Sequence, residues 1–282
     1  MKLELYCIKC IISQTLEVLD HLQKSKFERE QILRKILRLL ARESYDKTSP
    51  ELAEIVYGEI TKLAGVDDPY KEEKRKQNEL ALKIIKNFEQ DLQGLSLIDV
   101  LKLSVLGNSI DYGTEAKFDV ERELKDFMKG SFPEETTKEF LEDLSVAKKM
   151  LIIGDNAGEI VFDRLLIRYL KFKKPELNIV YAVRSGPIIN DATLDDAKQA
   201  ELDKWAKIIT TGQKIAGLVL ERASEEIKQH LRESDLILSK GQGNFETLED
   251  KGLGIYFLFR VKCPVVGRNL NKKIGEIAFL RR

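Results

Sequence analysis

Leu151-Ile152-Ile153-Gly154-Asp155-Asn156-Ala157-Gly158-Glu159 decides how the rest of the chain is read. The apolar run has the length of a buried strand, and it ends by presenting a carboxylate and an amide followed by small residues. Such a strand end offers hard oxygen donors and suits a metal and phosphate site. Beyond it the pattern turns helical. Asp163, Arg164, Arg168 and Lys171 fall within an arc of about 140° at roughly 100° per residue, and the other faces of 160–170 are apolar. That is the pattern of a helix buried against a sheet.

From Met150 onward, short apolar runs alternate with amphipathic segments, the mark of βα units around a parallel sheet. Strands are expected over 150–153, 179–183, 207–210, 236–239 and 255–261, and helices over 158–172, 192–202 and 224–233. Toward the N-terminus the period is helical. Ile8, Ile11, Ile12, Thr15, Leu19 and Leu22 form one stripe, and Ala81, Ile84, Ile85, Phe88 and Leu92 another. Ser49-Pro50 and Ser131-Phe132-Pro133 punctuate this half as helix starts or turns. The expected architecture is α/β: a helical domain over 1–147 packed on a Rossmann-like, mostly parallel α/β domain over 148–282 that binds metal and phosphate.

The 282 residues carry 47 basic and 47 acidic side chains, which leaves no net field for broad capture of nucleic acid or an anionic membrane. Small charged metabolites need only a local patch. No apolar run approaches the roughly 20 residues of a membrane helix, and Met1-Lys2-Leu3-Glu4-Leu5 lacks a secretory signal's apolar core. A cytoplasmic protein is expected, and no oligomeric state is implied.

In open α/β sheets, ligands sit beyond the carboxyl ends of the strands. The first strand ends at Asp155-Asn156, the second leads through Arg184 to Asn190-Asp191, and the fourth into Lys240-Gly241-Gln242-Gly243-Asn244. Asp155, Asn156 and Asp191 are all-oxygen donors suited to Mg²⁺ or Mn²⁺; the same residues also serve as ordinary helix N-caps. Lys240 with the glycines after it offers a cation and backbone N–H groups for phosphate, although the P-loop pattern is absent. Lys262 is a second cation at a strand end. Gly107-Asn108-Ser109-Ile110-Asp111-Tyr112-Gly113 is a polar turn that can face the sheet or close a helix. Lys71, Lys74 and Asn78 share one helical face. Cys7 and Cys10 form a C-x-x-C open to burial, metal binding or redox chemistry, while His21 and His230 lack the spacing of a zinc site or a catalytic triad.

Taken together, Gly154-Asp155-Asn156-Ala157-Gly158-Glu159, Asn190-Asp191 and Lys240-Gly241-x-Gly243-Asn244 resemble the damage-control phosphatase family, a former domain of unknown function that includes acidic-residue methyltransferase-like proteins. Asp68-Pro69-Tyr70-Lys71, Lys74, Asn78 and Gly107-Asn108-x-Ile110-Asp111 extend the likeness over nearly the whole chain, and the N-terminal C-x-x-C resembles the prokaryotic branch. The resemblance implies a metal-dependent phosphatase of small phosphorylated metabolites, with Asp155, Asn156 and Asp191 holding Mn²⁺, Ni²⁺, Co²⁺ or Mg²⁺. Asp155, Asp191 and Lys240 would carry catalysis, and Asn108, Glu159, Arg184, Lys240 and Lys262 would contact substrate. The substrates in view are phosphate monoesters of sugars, nucleotides or phosphopantetheine-like compounds. Phe259-Arg260-Val261-Lys262 keeps only the final lysine of the R-T-x-K motif found in the eukaryotic branch, so sugar-phosphate specificity is not implied. Two other readings stand beside this one: an S-adenosylmethionine-dependent carboxyl methyltransferase, and a non-enzymatic nucleotide-binding protein with a structural zinc.

Overall fold

The helical half forms where capping signals and apolar stripes coincide. The computed structural model describes residues 1–107 and 128–282. Its first helices are α1 (Leu5–His21), α2 (Lys26–Leu40), α3 (Ser49–Ala64), α4 (Lys71–Gln90) and α5 (Leu97–Leu106). Capping boxes at Ser25/Glu28, Thr48/Glu51 and Ser96/Asp99 satisfy the orphan amides that open α2, α3 and α5. Pro50 sits in the first turn of α3, as Ser49-Pro50 implies. The two expected stripes become the buried faces of α1 and α4.

After α6 (Glu134–Val146) the chain alternates: β1 (Lys149–Ile153), α7 (Glu159–Lys173), β2 (Asn178–Val183), α8 (Leu194–Gln199), β3 (Lys207–Thr210), α9 (Glu225–Glu233), β4 (Leu236–Lys240), α10 (Gln242–Leu248), β5 (Tyr256–Arg260), α11 (Pro264–Leu270) and β6 (Ile277–Arg281). The fold is α/β, with a mostly parallel Rossmann-like sheet in the order β3-β2-β1-β4-β5-β6. β1 lies between β2 and β4, with Met150 level with Ile179 on one side and Leu236 on the other. The direction of winding reverses between β1 and β4, and a crevice opens there beyond the strand ends.

All the expected strands are present. The sequence reading missed β6, which runs antiparallel to β5 with Phe257 opposite Leu280. It also drew α8 too long, because Glu201 adopts the left-handed conformation with φ 54° and ends the helical path.

Period-2 alternation in β1 feeds two cores. Met150 and Ile152 face α7, α5 and α4, whereas Leu151 and Ile153 face α9 and α10. α7 is therefore covered on both sides: the sheet takes one face, on which Asp163 meets Tyr181 and Lys240, and α4 and α5 cover the other, where Arg164 meets Glu89. A third core joins α1, α2 and α3 to Ile188 and Val265 from the α/β half. No helix among the described residues is long and apolar enough to cross a membrane.

Phe140 on α6 is fully buried and meets Tyr256 of β5 and Phe279 of β6 edge-on, with ring centroids 5.1 and 5.6 Å away. Truncation opens a cavity beneath the edge strand, and such Phe→Ala changes cost about 3–5 kcal/mol. We expect Phe140→Ala to lower the guanidinium unfolding midpoint correspondingly, with an unchanged far-ultraviolet circular dichroism spectrum below the transition.

Candidate functional site

The loops after β1 and β2 are tied together by backbone hydrogen bonds. Ala192 N–H donates to the Asp155 carbonyl at 2.8 Å, and Ala157 N–H donates to the Asn190 carbonyl at 2.9 Å. Asn156 and Asp191 pair as an isolated antiparallel bridge. The three oxygen-bearing side chains singled out in the sequence thus meet in space, and all three are buried. Asn156 also donates from its amide to Asp155 Oδ2 at 2.9 Å. The loop after β4 closes on the same point. Gly241 has φ +82°, and a Cβ there would overlap the Asp155 carboxylate, so only glycine lets β4 and β1 approach so closely.

Arg184 lies beneath this junction with 1% exposure. Its Nε donates to Asp191 Oδ2 at 2.7 Å, and its Nη1 donates to the Gly217 carbonyl and to Asn244 Oδ1. Its Nη2 stands 3.8 Å from Asp155 Oδ1 without a hydrogen bond among the described residues. Burial pushes the Asp191 carboxyl up to about 7, against the opposing pull of Arg184. Arg184 thus acts on the candidate ligands from behind, whereas the sequence set it against substrate.

Lys240 departs further from expectation. Its ammonium is fully buried and donates to Glu159 Oε1 at 2.6 Å, Asp163 Oδ1 at 2.7 Å and the Ser104 carbonyl at 3.1 Å. Tyr181 and Ser104 hydroxyls donate to the same Asp163. Glu159 and Asp163 stand one turn apart on α7 and face β4 together, and that tertiary contact encloses the lysine. Lys240 therefore does not line the cavity as the sequence reading placed it. Burial pushes Glu159 up to about 8 although Lys240 pulls it down, and its Oε2 is buried without a hydrogen-bond partner among the described residues. Asp163, Tyr181 and Ser104 were missed; the only signal was a carboxylate and a hydroxyl inside otherwise apolar elements.

Over this junction lies a cavity of about 240 Å³. Asp155, Asn156, Asn190, Asp191 and Lys262 line it, together with Cys7, Cys10, Cys263 and Glu246. Lys262 thus reaches the candidate site as expected, whereas Asn108 lies outside the described residues. Burial raises the Cys7 and Cys10 thiols above their ordinary range. Among the described residues no group of three or more His, Cys, Asp or Glu side chains is placed to hold a metal. The candidate donor set is instead two aspartates and one amide. Its all-oxygen chemistry, with the buried and unpartnered Glu159 Oε2 nearby, fits a hard divalent ion better than a thiophilic one.

The sequence profile of the damage-control phosphatase ARMT1-like domain matches residues 4–277. A damage-control phosphatase of Pyrococcus horikoshii is 34% identical over 284 residues, covering 100% of this chain and 98% of that protein. A damage-control phosphatase of Archaeoglobus fulgidus is 32% identical, covering 98% of each chain. The crystal structure of a Pyrococcus horikoshii protein of the same former unknown-function family superposes with a TM-score of 0.93 at 32% identity, over 100% of this chain and 99% of that one.

The elevated carboxyls give the fold a pH signature. In the unfolded chain Glu159 ionises near 4.5, but in the fold it keeps its proton up to about 8. Between those values the unfolded state binds fewer protons, so stability falls as pH rises. Urea midpoints measured without divalent ions should decline from pH 5 toward pH 8, and Glu159→Gln should flatten much of that decline. An equally steep decline in the variant would assign the effect elsewhere.

Proposed function

The chain belongs to the damage-control phosphatase ARMT1-like family, and from that premise we propose that it is a divalent-metal-dependent phosphatase of small phosphorylated metabolites. The observation that carries this reading is the convergence of Asp155, Asn156 and Asp191 at one wall of a cavity that Lys262 also lines. In this proposal the three residues hold the ion through oxygen, with Mn²⁺, Ni²⁺, Co²⁺ and Mg²⁺ as the candidates. When bound, the ion neutralises phosphoryl oxygens and favours in-line displacement.

The chain's own residues do the rest. Arg184, fixed by Gly217 and Asn244, holds Asp191 in one orientation through Nε. The exposed Lys262 ammonium draws the anionic group toward the cavity by Coulombic attraction, which added salt would weaken. Lys240 supports the site from behind by fixing Glu159 and Asp163. Removing one partner from such a buried ion cluster costs about 3–5 kcal/mol.

A cavity of about 240 Å³ admits a small phosphate monoester. Damaged metabolites are the proposed class, in keeping with the names of the Pyrococcus and Archaeoglobus relatives. Attack by water and attack by the Asp155 carboxylate use the same placement. They separate by stereochemistry at phosphorus: one direct displacement by water inverts the configuration, whereas displacement by Asp155 followed by water attack on the phosphoaspartate retains it, and only the second route leaves an acyl phosphate to trap.

The test is Asp155→Asn assayed on a panel of phosphorylated metabolites, with each ion restored after chelator treatment. The expected result is a loss of turnover of at least about a hundredfold with the fold retained, as when a group acting in the transition state is removed. Equal activity in variant and parent, or activity insensitive to chelator, would overturn the assignment.

A further inference from the structure

Asn78 lies on α4, in the helical half, yet it is fully buried at the root of both ligand-bearing loops. Its Oδ1 accepts from Gly158 N–H at 2.7 Å. Its Nδ2 donates to Asp196 Oδ1 at 3.0 Å and to Gln199 Oε1 at 2.9 Å. Asp196 in turn accepts from the Thr193 backbone N–H at 2.9 Å and from the Thr193 hydroxyl at 2.8 Å. Gly158 follows Asn156 by two positions, and Thr193 follows Asp191 by two. One amide therefore links the two loops, directly at Gly158 and through Asp196 at Thr193.

The link is rigid for chemical reasons. Gly158 has φ +75° and ψ −54°, so its N–H lies outside the regular pattern of α7 and needs a side-chain acceptor. Asn78 supplies an acceptor on one side and donors on the other, a combination that a carboxylate lacks. Lys74, 2.8 Å from Asp68 and 3.5 Å from Asp196, balances the acids around it.

We infer that Asn78 is a positioning residue that sets the separation between the Asp155-Asn156 pair and Asp191, and through it the affinity of the site for a divalent ion. The inference rests on the metal reading given above. Outer-shell partners of metal ligands typically contribute about 10–100-fold in affinity or activity.

The test measures Mn²⁺ binding to the full chain by titration calorimetry after chelator treatment, with the thermal midpoint recorded for every variant. Asn78→Ala is expected to weaken Mn²⁺ binding by about 10–100-fold. Asn78→Asp keeps the acceptor for Gly158 but repels Asp196, so it should weaken binding as well. Adding Asp196→Asn to it exchanges donor and acceptor, and should recover most of the affinity. Phe140→Ala, destabilised at a distance, should bind Mn²⁺ like the parent. If Asn78→Ala fails to fold, Asn78→Asp and the exchanged pair carry the test. Parent-like Mn²⁺ affinity in both Asn78→Ala and Asn78→Asp, or no recovery in the exchanged pair, overturns this inference and leaves the metal reading standing. Parent binding no tighter than that of Asp155→Asn overturns both.

Discussion

The hydrogen bonds from Ala192 to the Asp155 carbonyl and from Ala157 to the Asn190 carbonyl are the constraint on which the rest of the site depends. They turn two separate strand-end loops into one unit and bring Asp155, Asn156 and Asp191 to a single wall. Backbone bonds of this kind leave the side chains available for a ligand. Each contributes a net ~1 kcal/mol. Their larger effect is geometric, because neighbouring loops otherwise wander independently at the mouth of a parallel sheet.

Electrostatics around that junction are arranged in layers. Arg184 stands under the aspartates, Lys240 under Glu159 and Asp163, and Lys262 at the cavity wall. Arg184 and Lys240 are buried among acids, whereas Lys262 is exposed at the cavity lining. The helical half takes part in this arrangement. α5 contributes the Ser104 carbonyl and hydroxyl to the Lys240 cluster, and α4 contributes Asn78 to the start of α7. Covering α7 with these helices gives the buried Arg164 its partner Glu89 on α4, and adds the Ser104 hydroxyl to the partners that Asp163 already has in the sheet.

Much of this was legible in the sequence because the signals were local. The central strands announce themselves as continuous apolar runs, since parallel strands are covered on both faces. The Asp155-Asn156 pair, Asp191 and Lys262 are polar residues at strand ends, where topology alone directs ligands. β6, an antiparallel edge strand of mixed burial, escaped although Ile277-Ala278-Phe279-Leu280 is itself a short apolar run. Lys240 was assigned a phosphate for want of a visible partner. The i, i+4 spacing of Glu159 and Asp163 puts both on one face of a helix, but only the packing of α7 on β4 shows that this face meets the lysine. The matching offsets of Gly158 and Thr193 from the candidate ligands likewise carry meaning only once Asn78 stands between them.

The central claim is that Asp155, Asn156 and Asp191 form a hard-ion site. Its most direct test is anomalous diffraction from crystals soaked in Mn²⁺ after chelation. The account predicts one dominant anomalous peak within about 2.0–2.3 Å of oxygen atoms from all three side chains. A dominant peak at Cys7, Cys10 and Cys263, or none at the three oxygen donors at saturating Mn²⁺, would contradict it.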